Sequence, residues 1–231
     1  MEGAKTDVRL MEKLLAVYEL ASRYKIVSYN TNIYTLYQEM FSENDPEAFD
    51  LLQLLKEREP DEQKKRIFDE VYSDILLIFD LDPQDPAYTV EKIERMAQYF
   101  VESSDMGKLY LNYPMVEAFY HMRSIPDPAF DTYCATLEEL RCGTYKQRVN
   151  QENRNHDYRK FAATRDEMNS VIRQNLEKAQ HLSKMPADVI PCQSDVFRAQ
   201  SQMMELKSLV AVLCTCVFFI PEYRADYIAH A

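Results

Sequence analysis

Asp80-Leu81-Asp82 follows directly on the apolar run Ile75-Leu76-Leu77-Ile78-Phe79. A near-continuous apolar run of this length reads as a strand buried on both faces, as in a parallel sheet. Side chains alternate along a strand, so Asp80 and Asp82 point the same way wherever the extended conformation persists. Open α/β sheets bind ligands beyond the carboxyl ends of their strands. Two carboxylates about 4 Å apart repel by roughly 4 kcal/mol at an effective dielectric of 20. Either one takes up a proton or a cation sits between them. Oxygen donors of this kind favour magnesium, manganese or calcium. A surface turn is the competing reading, because Asp82-Pro83 and Asp85-Pro86 are loop signals.

A second acidic signature, Glu2-Gly3-Ala4-Lys5-Thr6-Asp7, opens the chain. Gly3 is one of 3 glycines in 231 residues, and glycine permits a tight strand-to-helix turn that other residues resist. Val8, Met11, Leu14, Leu15, Tyr18 and Ala21 then repeat at helical spacing. Thr6 reads as the N-cap of this helix, with Asp7 favourable in its first turn. Taken alone, a carboxylate as near the end as Glu2 reads as a frayed, solvated one.

A Glu-Gly turn opening a helix, followed by a strand ending in Asp-x-Asp, resembles the Toprim domain of primases, topoisomerases and several nucleases. The fuller resemblance is to the RloB-like branch, related to OLD-type nucleases, which carries Glu-Gly-x-Lys-Thr-Glu at this position. Here Asp7 stands in place of the last Glu and conserves its charge. Leu109-Tyr110-Leu111-Asn112-Tyr113-Pro114-Met115-Val116-Glu117 adds a third element. The family has a strand, then Asn-Pro, then an acidic residue on the next helix, and this chain inserts Tyr113 between Asn112 and Pro114. The resemblance covers roughly residues 1–122.

This resemblance implies a Toprim-like parallel sheet flanked by helices, carrying Mg2+ or Mn2+ at Glu2, Asp80 and Asp82, with Asp85 a further ligand candidate. Glu2, Asp80 and Asp82 would also be the catalytic set, hydrolysing nucleic-acid phosphodiesters, DNA or RNA. Glu2 acting instead as a general acid or base is an alternative. Lys5, Asp7, Asn112 and Glu117 form a second tier, with Lys5 placed to touch a phosphate from the helix start. RloB-like proteins resemble components of bacterial phage-defence loci. A catalytically inactive interaction or toxin component, bound to a protein partner from such a locus, is therefore the rival function. A small-molecule phosphotransferase is a third reading, opposed by the lack of a Gly-rich phosphate loop or Walker motif. The family also has a strand, usually ending in Val, before the Glu-Gly turn, where this chain has Met1. The resulting expectation is that the start is an internal GTG codon and that the first strand lies upstream of it.

At 231 residues the chain holds one large domain or two small ones. Hydrophobic residues make up 46%, enough for a core, and charged residues 28%. No secretory signal is evident, and the longest apolar stretch, Leu209 to Ile220, falls short of the roughly 20 residues of a membrane helix. Five cysteines without zinc spacing are expected to be reduced thiols in a cytoplasmic protein. A net charge of -11 opposes nucleic-acid binding, yet the charge is uneven. Between Arg141 and Arg165 lie seven Lys and Arg residues against Glu152 and Asp157, a local balance of +5. Lys146, Arg148, Arg154, Arg159 and Lys160 are the candidate phosphate contacts, with Tyr145, Tyr158 and Phe161 interleaved for stacking. A solvated face is the plain alternative.

Positioning these groups requires alternating elements. Helices are expected over 8–22, 33–41, 46–58, 61–72, 87–102 and 114–122, and strands over 25–29, 74–79 and 108–111. That alternation argues for parallel α/β architecture in a core spanning 1–123. Residues 124–231 read as a mostly helical extension packed on that core, with helices over 155–182 and 195–213.

Overall fold

A computed structural model describes residues 1, 5–29, 31–41, 45–104 and 106–224. The first part runs α1 (Thr6–Val17), α2 (Ile33–Phe41), α3 (Leu51–Arg58), α4 (Glu62–Lys65), β1 (Leu76–Asp80), α5 (Val90–Tyr99) and β2 (Lys108–Tyr113). Then follow β3 (Cys134–Thr136), α6 (Leu137–Arg141), α7 (Tyr145–Glu152), α8 (Arg165–Ser183) and α9 (Gln193–Lys207). The chain closes with β4 (Leu209–Ala211), β5 (Leu213–Cys214) and α10 (Phe219–Tyr223).

The fold is α/β. Its central sheet has the order β1-β2-β5. The apolar runs that predict buried strands form β1 and β2, which pair in parallel with Asp80 opposite Asn112. β5 pairs antiparallel to the other edge of β2 through Asn112–Cys214 and Tyr113–Leu213. The sheet is therefore mixed, and its third strand comes from the far end of the chain. β3 and β4 form a separate two-stranded ribbon. Leu77, Ile78, Phe79, Leu109, Tyr110 and Leu111 are almost fully buried, so both faces of the β1–β2 pair are covered.

The sequence reading and the structure part where a cap or a turn decides the boundary. Thr6 is the first helical residue rather than the cap, which falls at Lys5 without a side-chain bond. Residues 25–29 form no strand; residue 1 lies beside them, with the Met1 ammonium donating to Val27 O and Tyr29 N donating to Met1 O. The segment 61–72 forms only the short α4 and a 3-10 turn at Arg66–Asp69. The helix expected from 155 starts at Arg165, because Thr164 caps it by accepting from Glu167 N, while His156 and Ala162 are left-handed and break the preceding turn. The helix expected to reach 213 stops at Lys207, where Ser208 turns left-handed and directs the chain into β4 and β5. The segment after Met115 is a 3-10 helix, Val116–Tyr120.

Candidate functional site

The site forms where β1 and β2 end. Asp80 is the last residue of β1 and is 7% exposed. Beyond it Leu81 N donates to Asn112 O and Asp82 N to Pro114 O, so the chain still follows the end of β2. The extended conformation does not persist to Asp82, whose φ of 40° is left-handed. That turn is closed by Asp85 N donating to Asp82 O and by Gln84 Nε2 donating to Asp82 Oδ1 at 2.9 Å. Burial pushes the Asp82 carboxyl above its ordinary range, against the Gln84 bond and the Lys146 charge that lower it.

Two other elements bring carboxylates to the same place. Asp7 lies in the first turn of α1 and Glu117 in the 3-10 turn after β2, and each is 5% exposed. Asp7 Oδ1 and Glu117 Oε2 are buried without a hydrogen-bond partner. Burial raises the Asp7 carboxyl, and the Glu117 charge raises it further. An unpaired buried carboxylate oxygen is costly, so these two atoms mark a place built for a counter-charge.

Lys146, in the first turn of α7, supplies one. Its Nζ stands 3.3 Å from Glu117 Oε1. Burial alone would lower this ammonium, but Glu117, with Asp80 and Asp82 behind it, outweighs burial and pushes it up. Lys146 thus faces the carboxylate group.

Asn112 holds the back of the site. It is fully buried, and its Nδ2 donates to Asp80 Oδ1 at 3.3 Å. Its Oδ1 accepts from Cys214 Sγ at 3.3 Å and from Cys216 N at 3.4 Å. The two sulfurs are 3.3 Å apart. The bond to Cys214, then burial, and then the Asp7 and Asp80 charges hold the Cys216 thiol well above its ordinary range. Cys216, held up in this way, acts as packing and donor rather than as a nucleophile.

Of the residues singled out from sequence, Asp80, Asp82, Asp7, Asn112 and Glu117 gather here. Glu2, and Gly3 beside it, lie outside the described residues. Lys5 is exposed at the start of α1. Asp85 has both oxygens engaged in the loop, Oδ2 accepting from Asn32 Nδ2 at 2.8 Å and Oδ1 from Ala87 N at 2.7 Å. In the basic strip, Arg148 pairs with Glu139 at 3.0 Å and donates to Cys134 O. Arg154 pairs with Glu167 at 2.6 Å and Arg159 with Asp157 at 3.1 Å, while Lys160 is exposed. Sequence reasoning missed the role of Lys146 against Glu117, and it read Cys214 and Cys216 only as reduced thiols, not as part of the site. The two-residue spacing of those cysteines on an apolar run was their only signal.

The donor chemistry at this site is hard oxygen, suited to a divalent cation such as Mg2+ or Mn2+. Among the described residues, no three His, Cys, Asp or Glu side chains stand close enough together to enclose a metal ion. A cation entering here would have to displace the Lys146 ammonium and draw the carboxylates inward. Also among the described residues, no helix is long and apolar enough to cross a membrane. In comparisons with known proteins, the chain matches no family model, no curated protein and no solved structure.

Proposed function

We infer that this chain is a divalent-metal phosphodiesterase of Toprim-like, RloB-like type, acting on nucleic acid. One observation carries the reading: four carboxylates from separate parts of the chain, Asp7, Asp80, Asp82 and Glu117, gather at the carboxyl end of a parallel strand pair around one ammonium. The orphaned oxygens of Asp7 and Glu117 fit a hard cation. Asp80 and Asp82 would be its principal ligands, with Asp7 and Glu117 beside them and Glu2 a further candidate from the resemblance. Such a cation supplies an activated water and a stabilised leaving oxygen. Asn112 orients Asp80 through its amide. Lys146 balances the cluster before loading and, being exposed on one side, is placed to meet a substrate phosphate.

The experiment is cleavage of single- and double-stranded DNA and RNA in Mg2+ or Mn2+, by the chain and by Asp80→Asn. Cleavage that requires metal and vanishes in the variant supports the reading, as does calorimetric metal binding that the variant loses. Unchanged metal binding by Asp80→Asn would sink it. The ion pair between Lys146 and Glu117 favours a second reading. A cluster neutralised by its own lysine needs no metal and suits an inactive interaction component of a defence locus. Absence of both metal binding and cleavage selects that reading.

A further inference from the structure

Between the start of α1 and the segment after α7 lies a cleft of about 900 Å3, within the roughly 300 to 1,000 Å3 of ligand sites. Thr6, Arg9 and Lys13 form one wall from a single face of α1, and Thr6 directly precedes Asp7 of the carboxylate cluster. Asn150, also in the lining, is one turn along α7 from Lys146 and shares its face. Tyr120 and Tyr158 form the opposite wall. Their rings stack with centroids 4.1 Å apart and 6° between planes. Tyr120 is buried and meets Phe119 and Phe161 edge-on, whereas Tyr158 is half-buried and ends this aromatic column at the cleft. The Tyr158 hydroxyl is buried without a hydrogen-bond partner. Burial, and after it the Glu117 charge, raise that hydroxyl. Cleft and cluster are therefore neighbours.

The charges in the lining are of both signs but unequally engaged. Asp157 accepts from Arg159 Nε at 3.1 Å and from its Nη2 at 3.3 Å, so these two largely cancel. Lys13 Nζ donates to two neutral carbonyls, Arg159 O at 3.3 Å and Phe161 O, which ties α1 to the 159–161 turn and leaves its charge unspent. Arg9 and Glu12 are exposed. What remains is Arg9 and Lys13 against Glu12. That balance suits a single phosphate. It does not suit a duplex, whose dense charge calls for an array of cations.

We propose that this cleft binds one nucleotide unit of a single nucleic-acid strand, its phosphate at Arg9 and the Thr6 hydroxyl and its base stacked on Tyr158, next to the phosphodiester presented to the carboxylate cluster. The inference rests on the nucleic-acid reading of that cluster and names the form of the substrate. Stacking on a tyrosine accepts any base, so the site selects single strands without selecting sequence. Lys13 acts from beneath, holding the two walls together and adding charge without being exposed as Arg9 is.

Binding is measured in chelator, so that it is read apart from metal and cleavage. A fluorescein-labelled oligothymidylate of about eight nucleotides is titrated with the full chain, and its anisotropy is followed across salt concentrations. One single-strand phosphate contact has a slope of about 0.7, a factor of about five at about 0.1 M salt. Arg9→Gln should therefore weaken binding about fivefold and flatten the slope by about 0.7. Glu12→Gln, which removes a carboxylate from the cleft, should tighten binding. The same oligonucleotide carrying 5-iodouracil should cross-link to Tyr158 of the unsubstituted chain, a result that needs no variant to fold. Cross-links confined to other segments would overturn the proposal, as would parental affinity and slope in Arg9→Gln. Equal competition by a duplex of the same length would overturn the single-strand assignment. Failure to bind any oligonucleotide in chelator also overturns the cleft, while metal binding that Asp80→Asn loses would still uphold the metal centre. Conversely, a Tyr158 cross-link on a chain that binds no metal keeps the strand site and refutes the metal centre alone.

Discussion

Replacing Lys146 with methionine tests how the carboxylate group is balanced. The ammonium stands 3.3 Å from Glu117 Oε1, but the Lys146 side chain is 58% exposed while that of Glu117 is 7% exposed. An exposed pair contributes at most about 1 kcal/mol, and stripping the partner from a buried charge costs about 3 to 5 kcal/mol. The intermediate burial here places the expected loss at about 1 to 2 kcal/mol, a fall in Tm of about 2 to 8 °C for a chain of this size. Metal should respond in the opposite sense. A single positive charge about 4 Å from a dication opposes it by roughly 2 kcal/mol even at the dielectric of water. Lys146→Met should therefore bind Mg2+ about tenfold or more tightly than the parent chain, and saturating Mg2+ should recover the lost Tm. Melting curves in chelator and in Mg2+, with calorimetric titration of both proteins, give the two numbers. A variant that loses stability in chelator and gains nothing from Mg2+ would refute a cation site beneath Lys146.

Three further outcomes follow from the same geometry. Burial lowers the Lys178 ammonium, which donates to Phe130 O and Tyr133 O, from 10.5 to about 8. Between those two pH values the unfolded chain holds a proton that the folded one lacks, so this group makes stability rise with pH across that window. The rise is on the order of 3 kcal/mol, and denaturant titrations at pH 8 and 10 should show it lost in Lys178→Met. Asn112→Ala removes the donor to Asp80 and the acceptor for Cys214 and Cys216. It should cost about 1 to 3 kcal/mol in urea unfolding, and a loss well below that would remove Asn112 as the organiser of the site. Arg159→Ala with Lys160→Ala should flatten the salt dependence of nucleic-acid binding by about 0.7 to 0.9 per lost phosphate contact. An unchanged slope makes that part of the strip an ordinary solvated surface.

How much of this was legible in the sequence depended on whether a local signal decided the outcome. The run Ile75–Phe79 bounded by Asp80 announced β1, and Ile33–Phe41 formed the helix that its spacing predicts. β5 was hidden, because a continuous apolar run such as Leu209–Ile220 does not distinguish strand from helix by its period. The break that makes it a strand is the left-handed Ser208, and serine gives no warning of that conformation as glycine would. Asp82 failed the simple alternation rule for the same reason. Lys146 was visible only as one charge among seven in a basic strip. Its pairing with Glu117 arises from α7 packing near the turn after β2, a long-range contact that spacing along the chain does not encode.

The placement of β5 also dictates when the site can come into being. Asn112 and Cys214 are 102 residues apart, and Asp7 is farther still from Cys216. A nascent chain emerges at about 5 to 20 residues per second, so roughly 5 to 20 seconds separate the appearance of the Asp80–Asn112 pair from that of the strand that backs it. Throughout that interval the free edge of β2 lacks its partner, and the assembly of so distant a contact is slow for topological reasons. The carboxylate cluster therefore matures only once Cys216 has emerged, and a chain interrupted before Cys216 carries the acidic residues without the scaffold that gathers them.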